Sequence, residues 1–249
     1  MAFGPLAALF HEAVQGVAPD GELDGYAQTF PEDALLLDFM CGTGRVLVPW
    51  TARGGKMHGV DASSAMLARC EARLAAEGLA TSLFRQDVSG LNLPFRYAGA
   101  LVAGGALQYI TDPAAAASAL VRLRMHLVQP GLVVIDFHVP SRGEQNLAAP
   151  LVEVTTASLS DETRITLRSE TTWTPDARLA RSERRYSQRS GTHSLAEEHE
   201  SVRSTWYEPA EATALLEAAG FVEVKALPSP GDHNDPAAFV VTAKANPVT

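Results

Sequence analysis

The sequence predicts an α/β fold: a seven-stranded, mainly parallel, doubly wound sheet with an antiparallel β insert after strand five. Three observations predict it. Short apolar runs suited to strands buried on both faces alternate with helical segments. The alternation breaks once, after about residue 140, where apolar residues thin out and a period of two takes over. It resumes near Pro209 and continues to the last strands.

The elements follow in order. Pro5–Val17 reads as an amphipathic helix with Leu6, Leu9, Phe10 and Val14 on one face, and a loop runs on to Pro31. Buried strands are expected at Ala34–Met40, Met57–Val60, Thr81–Arg85, Ala98–Ala103 and Leu132–Phe137. After the glycine turn Gly42–Gly44 a helix should reach about Arg53. Ser63 can cap a second, with Met66, Cys70 and Leu74 on one stripe. Asp112-Pro113 opens a third, with Leu120, Leu123 and Leu127 inward and Pro130-Gly131 as its stop. In the insert, Arg164–Trp173 and Leu179–Tyr186 alternate about a turn at Thr174–Ala177, and Glu198–Tyr207 can add a third strand. The insert is therefore expected to be two- or three-stranded. Pro209 opens the last helix and Gly220 closes it. Phe221–Ala226 and Ala238–Ala243 should pair as a hairpin at one side of the sheet. Residues 1–139 and 208–249 then form one core, and residues 140–207 an insert that acts as a lid or a dimer contact.

Composition narrows the function. The chain has 249 residues with 46% hydrophobic content, enough for one domain with an addition. Its 29 acidic residues outnumber 20 basic ones, which argues against duplex DNA or bulk RNA as a partner. Two cysteines, Cys41 and Cys70, make no disulfide framework, so a reducing cytoplasm is the expected location. Met1–Phe10 lacks the basic start of a signal peptide, and no apolar run is long enough for a membrane span. No Cys/His cluster has the spacing of a metal site, so no metal is expected.

The chemistry concentrates at strand ends. Leu35–Arg45, LLLDFMCGTGR, is a buried strand that ends in Asp38 and passes through a glycine turn. Gly42 and Gly44 let a ligand lie against the backbone, and Asp38 can accept from an ammonium group. Asp61 ends the second strand, where an acid can take both hydroxyls of a ribose. Asp87 follows the third strand, where a carboxylate can accept from an exocyclic amine. Right-handed crossovers bring these ends to one edge of the sheet.

In these residues the sequence resembles the class I S-adenosylmethionine (SAM)-dependent methyltransferases, well over about 34–138 and loosely over 208–243. Leu35–Arg45 is similar to the family's first motif, with its CGTG turn. Gly59-Val60-Asp61-Ala62-Ser63 through Met66-Leu67 is similar to the second, and Arg85-Gln86-Asp87-Val88 followed by Leu93-Pro94-Phe95 to the third. Leu127–Gly131 resembles a later Pro-Gly turn. The resemblance implies the Rossmann-like methyltransferase fold, SAM as cofactor and a small-molecule acceptor. It places Asp38 near the methionine amine, and Gly42 and Gly44 along the methionine backbone. It places Asp61 on the ribose, Ala62 and Met66 beside the adenine, Asp87 and the Val88 N–H on the adenine edge, and Gly104 by the methionine. Two positions depart: Met40 stands where the family has a glycine, and Leu132 where its later turn has a second one.

Acceptor contacts are expected beyond strands four and five, at Tyr109 and at His138, whose imidazole could accept a proton. His193 and His199 read as solvated. The insert leaves the sheet after His138 and should roof the active-site edge, with Trp173, Trp206 and Tyr207 packing it down. Such a sheet pairs subunits in some amino-sugar N-methyltransferases, so a homodimer is one expectation. Arg181, Arg184, Arg185 and Arg189 read equally well as solvated surface. Two other functions fit parts of the pattern. An NAD-dependent oxidoreductase would use the Gly42–Asp61 spacing but lacks the third glycine of its fingerprint. A non-catalytic SAM-binding or scaffold protein would be consistent with Met40.

Overall fold

The computed structural model describes residues 3–139, 149–160, 162–228 and 238–246. Five strands are parallel: β1 (Leu35–Phe39), β2 (Lys56–Asp61), β3 (Leu83–Arg85), β4 (Tyr97–Val102) and β5 (Leu127–His138). With β10 (Phe221–Pro228) and β11 (Ala238–Ala245) they form one sheet of order β10-β11-β5-β4-β1-β2-β3. Strand β11 runs antiparallel to both its neighbours, as the predicted terminal hairpin requires. Register aligns the carboxyl ends: Asp38 lies opposite Gly59 and Leu101, and Val102 opposite Ile135.

Both faces are covered because side chains alternate along each strand. Leu37 belongs to a core with Leu120, Leu123 and Leu216, supplied by α5 (Pro113–Met125) and α6 (Pro209–Ala218). Leu36 belongs to the opposite core with Leu47, Cys70 and Leu74, from α3 (Leu47–Ala52) and α4 (Ser64–Ala76). The predicted caps form: Ser63 Oγ accepts from Met66 N–H, and Asp112 Oδ1 accepts from Ala114 N–H. No described helix is long and apolar enough to cross a membrane.

Four elements differ from the sequence reading. A helix, α2 (Asp20–Ala27), occupies the expected loop. Gly21 and Gly25 mask it, but Leu23 and Tyr26 are buried on one side and anchor it. Helix α3 starts only at Leu47, so residues 42–46 form the turn. Helix α5 stops at Met125, and Pro130-Gly131 lie within β5 rather than ending a helix. The insert has four strands, not two or three: β6 (Leu151–Ser158), β7 (Thr163–Thr174), β8 (Leu179–Ser190) and β9 (His193–Thr205), all antiparallel. Strand β6 is an edge strand with exposed faces, so burial leaves no alternation in its sequence.

Helix α1 (Pro5–Gln15) joins the two sheets. Leu6, Ala7 and Phe10 pack with Ile165 of β7 and Tyr186 of β8. The Phe10 and Tyr186 rings meet edge-on at 5.6 Å. Glu198 of β9 accepts from Leu6 N–H and Ala7 N–H at 3.0 and 3.1 Å, a carboxylate cap on the helix start. Glu12 and Arg69 pair α1 to α4. Replacing Glu198 with alanine is expected to cost roughly 1 kcal/mol, measured by urea denaturation, with amide exchange rising first in α1.

Candidate functional site

The site grows from the end of β1. Strand pairing stops at Phe39, and Met40 takes a left-handed conformation at φ 66°. Sterics penalise this conformation in any residue with a Cβ, by about 1–2 kcal/mol. Gly44 is also left-handed, at φ 79°, and a Cβ there would sit 2.6 Å from Cys70 Sγ. The turn therefore packs directly on α4 and admits no side chain at that point. Cys41 N–H bonds to Val60 O at 3.0 Å, and Gly42 N–H donates to Asp61 Oδ2 at 3.0 Å. Asp61 Oδ1 accepts from Ser63 N–H at 2.8 Å. The second strand end thus holds the first turn in shape. Burial pushes the Asp61 carboxyl above its ordinary range, against the pull of these N–H donors.

Asp38 is buried at the floor of this turn. Burial raises its carboxyl to about 7, Arg45 draws it down, and the nearby Asp61 and Asp136 raise it further. Its hydrogen-bond donor is Leu47 N–H, the first residue of α3. Arg45 is itself engaged as a fork on Glu22, at 2.8 and 2.6 Å. The Tyr26 hydroxyl lies 2.9 Å from Glu22 Oε1 and 2.8 Å from Asp136 Oδ2. Gly104 N–H donates to that same Asp136 oxygen at 2.9 Å. Burial lifts the Asp136 carboxyl to about 6, and Oδ1 finds no partner among the described residues. An ionic chain of Arg45, Glu22, Tyr26 and Asp136 thus runs from α2 to the ends of β4 and β5.

One cleft opens above these residues, with about 750 Å³ of space that includes its mouth. Asp38, Gly42, Asp61, Met66, Gly104 and Tyr109 all line it, so six of the predicted site residues converge. Gly44 lies beneath it, against Cys70 and Val48. Ala62, Asp87, Val88 and His138 are not among its lining. Asp87 is exposed, and its Oδ1 accepts from the Ser89 hydroxyl and N–H at 2.7 and 2.9 Å, which holds the carboxyl below its ordinary range. The His138 side chain is exposed, and its backbone N–H and C=O are both engaged by the Gln108 amide at 2.8 and 2.7 Å. The same amide donates to Thr205 O at 2.9 Å and ties β9 to β5.

No described residue of the insert lines the cleft. Phe3, His11 and Gln15 close the cleft from the α1 side, and the insert braces α1 from behind. The sequence reading missed this, because the helical stripe in residues 5–17 signals packing and not what it packs over. It also missed Asp136, whose signal was an acid inside the apolar run Leu132–Phe137. Arg184 corrects a third reading. It is largely buried, lies near Tyr109 and Tyr186, and is 3.9 Å from Glu200.

Met40 generates a direct test. Met40→Gly exchanges backbone strain for lost side-chain contact, so its stability is expected within about 1 kcal/mol of wild type. Met40→Val puts a β-branched chain into the same left-handed position and is expected to be less stable than the glycine variant by at least about 1 kcal/mol in urea denaturation.

Comparison with known proteins agrees with this geometry. Residues 36–131 match the family model described as a methyltransferase domain. No curated protein matches the chain. A SAM-dependent methyltransferase from Clostridium acetobutylicum superposes with a TM-score of 0.77 at 18% identity, covering 96% of this chain and 98% of that one. A sugar N-methyltransferase from Streptoalloteichus sp gives 0.75 at 22% identity, covering 97% and 94%. The SAM-bound amino pentose methyltransferase of calicheamicin biosynthesis from Micromonospora echinaspora gives 0.71 at 21% identity, covering 99% and 98%. At these identities the likeness is one of fold, and it extends through the insert. Residues 36–131 are thus similar to a methyltransferase domain, and the chain shares its fold with solved SAM-dependent methyltransferases.

Proposed function

We propose that this chain transfers the methyl group of SAM to a nitrogen of a small-molecule amine. The observation that carries the reading is the convergence of Asp38, Asp61, Met66 and Gly104 on one cleft at the carboxyl edge of the sheet. These residues fit the donor. Asp38 is a buried carboxylate without a full counter-charge, suited to an ammonium group. Asp61 keeps lone pairs for sugar hydroxyls, and Met66 offers an apolar contact to a base. SAM supplies an electrophilic methyl on a sulfonium. The protein therefore needs chiefly to align a nucleophile with the S–CH₃ bond, which can provide roughly 7–11 kcal/mol of the barrier. No fixed acid–base triad is required. Tyr109 lies on the acceptor side of the cleft, near Arg184 of the insert.

The solved sugar N-methyltransferase and amino pentose methyltransferase, with the same fold and insert, favour nitrogen over oxygen. A dinucleotide reading lacks a pyrophosphate site. Helix α3 starts at Leu47, beyond the glycine turn, and the Leu47 N–H is already given to Asp38.

The assay is S-adenosylhomocysteine (SAH) formation from SAM with 2-amino- and 3-amino-sugars, with the parent sugars as hydroxyl-only controls. SAH release with an amine and none with the controls is expected. Tight NADH binding without SAM binding overturns the reading. Asp61→Ala is expected to weaken SAM by at least about 1.5 kcal/mol, more than tenfold, in calorimetry.

Asp38 sets a pH dependence. Its raised folded value means that the empty protein holds a proton there below about pH 7, while an unfolded carboxyl has already lost it. The empty fold therefore loses stability as pH rises from about 4 to 7. An ammonium ligand demands the ionised form. SAM affinity is expected to fall as pH drops below 7, by up to about tenfold per unit, with proton release on binding, and Asp38→Asn is expected to flatten the profile.

A further inference from the structure

Gln108 is buried in the short turn Ala106–Tyr109, between the end of β4 and the start of α5. Its carboxamide makes three hydrogen bonds. Oε1 accepts from the His138 N–H at 2.8 Å, and Nε2 donates to His138 O at 2.7 Å and to Thr205 O at 2.9 Å. Both Nε2 hydrogens are thereby used. The reversed amide would set donor against donor and acceptor against acceptor, so its orientation is fixed. His138 is the last residue of β5 and Thr205 the last of β9. The chain between them is the insert. One amide therefore holds the point where the insert leaves the core sheet and the point where it returns. Strand β4 stops at Val102, opposite Ile135, and beyond that pair Gln108 takes the place of a strand neighbour for His138.

The same turn meets the cleft at Gly104, Ala106 and Tyr109, and Gln108 itself is not in the lining. Gly104 has a separate hold: its N–H donates to Oδ2 of Asp136, two residues before His138 on β5. Gly104 and Gly105 are both left-handed, at φ 61° and 68°. A Cβ on Gly105 would lie 2.7 Å from Gln108 Oε1, so the amide folds back against the start of its own turn, into space that only glycine leaves. Tyr109 follows Gln108 directly, and its ring meets Phe3 edge-on at 5.7 Å across the cleft wall. The turn thus has two anchors. Asp136 fixes the Gly104 end, which serves the donor. The two roots of the insert fix the end that carries Tyr109.

We infer that Gln108 is a positioning residue that sets Tyr109 from the roots of the insert, so that the insert governs use of the acceptor and leaves SAM binding alone. This deepens the methyl-transfer reading and rests on it. In-line transfer tolerates little misplacement, and a shift of about 1 Å can cost roughly a hundredfold in rate. Loss of the amide frees the turn beyond Gly105 while Asp136 still holds Gly104. The acceptor wall then shifts and the donor half stays. A change in the insert that moves Thr205 is carried to Tyr109 by the same bonds.

The test uses the full-length protein with 3-amino-3-deoxyglucose and 2-amino-2-deoxyglucose as acceptors. Gln108→Met keeps the length and packing of the side chain and removes the amide. At a temperature where the variant is fully folded, it is expected to lower acceptor kcat/KM by at least about tenfold, while SAM affinity by calorimetry changes by less than about threefold. Tyr109→Ala is expected to lose at least as much. The double variant is expected to match Tyr109→Ala within about threefold, because Gln108 acts through Tyr109. A purely structural role would lower thermal stability and leave the acceptor kinetics of the folded protein at the wild-type level, and that result overturns the inference. So do losses that multiply in the double variant, or SAM affinity that falls in step with acceptor use. If Gln108→Met does not fold, Gln108→Glu takes its place with the same expected pattern, since its carboxylate still accepts from the His138 N–H and lacks both donors. If the wild type binds SAM and methylates neither amine, the amine reading of the site fails. The clamp is then judged by fluorine NMR of the fluorotyrosine-labelled protein, with the Tyr109 signal assigned by Tyr109→Phe. A Tyr109 signal that shifts or broadens in the Gln108 variant, with SAM affinity kept, supports the inference, and an unmoved signal overturns it.

Discussion

Asp38 is buried near the end of β1, between β4 and β2, and meets solvent only through the cleft that it lines. A carboxylate in such a place must be neutralised or protonated. Arg45, the nearest cation, is committed bidentately to Glu22, so it compensates Asp38 only in part. The surrounding structure follows from this deficit. Leu47 N–H, which has no partner within its own helix, is turned to the carboxylate, and the Gly42–Val46 turn leads into it. Asp136 and Asp61 deepen the negative potential. The site thus carries a negative potential that is only partly compensated, which suits the proposed amine-bearing donor.

The sequence carried this part of the molecule clearly, and physical reasons explain where it did not. Asp38, Asp61, Gly42 and Met66 were legible because a strand end, a glycine turn and a capped helix are local patterns. The sheet was legible because burial on both faces leaves unbroken apolar runs. Asp136 was hidden by the run that contains it, since its side-chain partner Tyr26 lies 110 residues away. The roof was hidden for a related reason. A helix stripe reports that α1 packs on something, and only the tertiary fold reveals that its other flank looks into the cleft. His138 and Tyr109 had equal standing as residues just past strand ends. Tyr109 lines the cleft and His138 is not among the described lining, while the Gln108 amide holds the His138 backbone.

The described strands of the insert reach the cleft through contact chains. Tyr186 packs under Phe10, Glu198 caps α1, and Arg184 lies near Tyr109. Exposed positions of the same strands, such as His193, His199 and Arg189, take no part in this bracing. Inward and outward residues alternate, so one sheet can vary freely on its outer surface while its inner surface stays tied to the cleft.

Phe3 forms part of the cleft wall, and its carbonyl oxygen is held by the Ser63 hydroxyl at 2.6 Å. A purification handle ahead of Phe3 is joined beside the cleft wall, whereas one placed after Ala245 is joined to β11, which ends at the opposite edge of the sheet. The choice of terminus for tagging or immobilisation is therefore a functional decision in this protein.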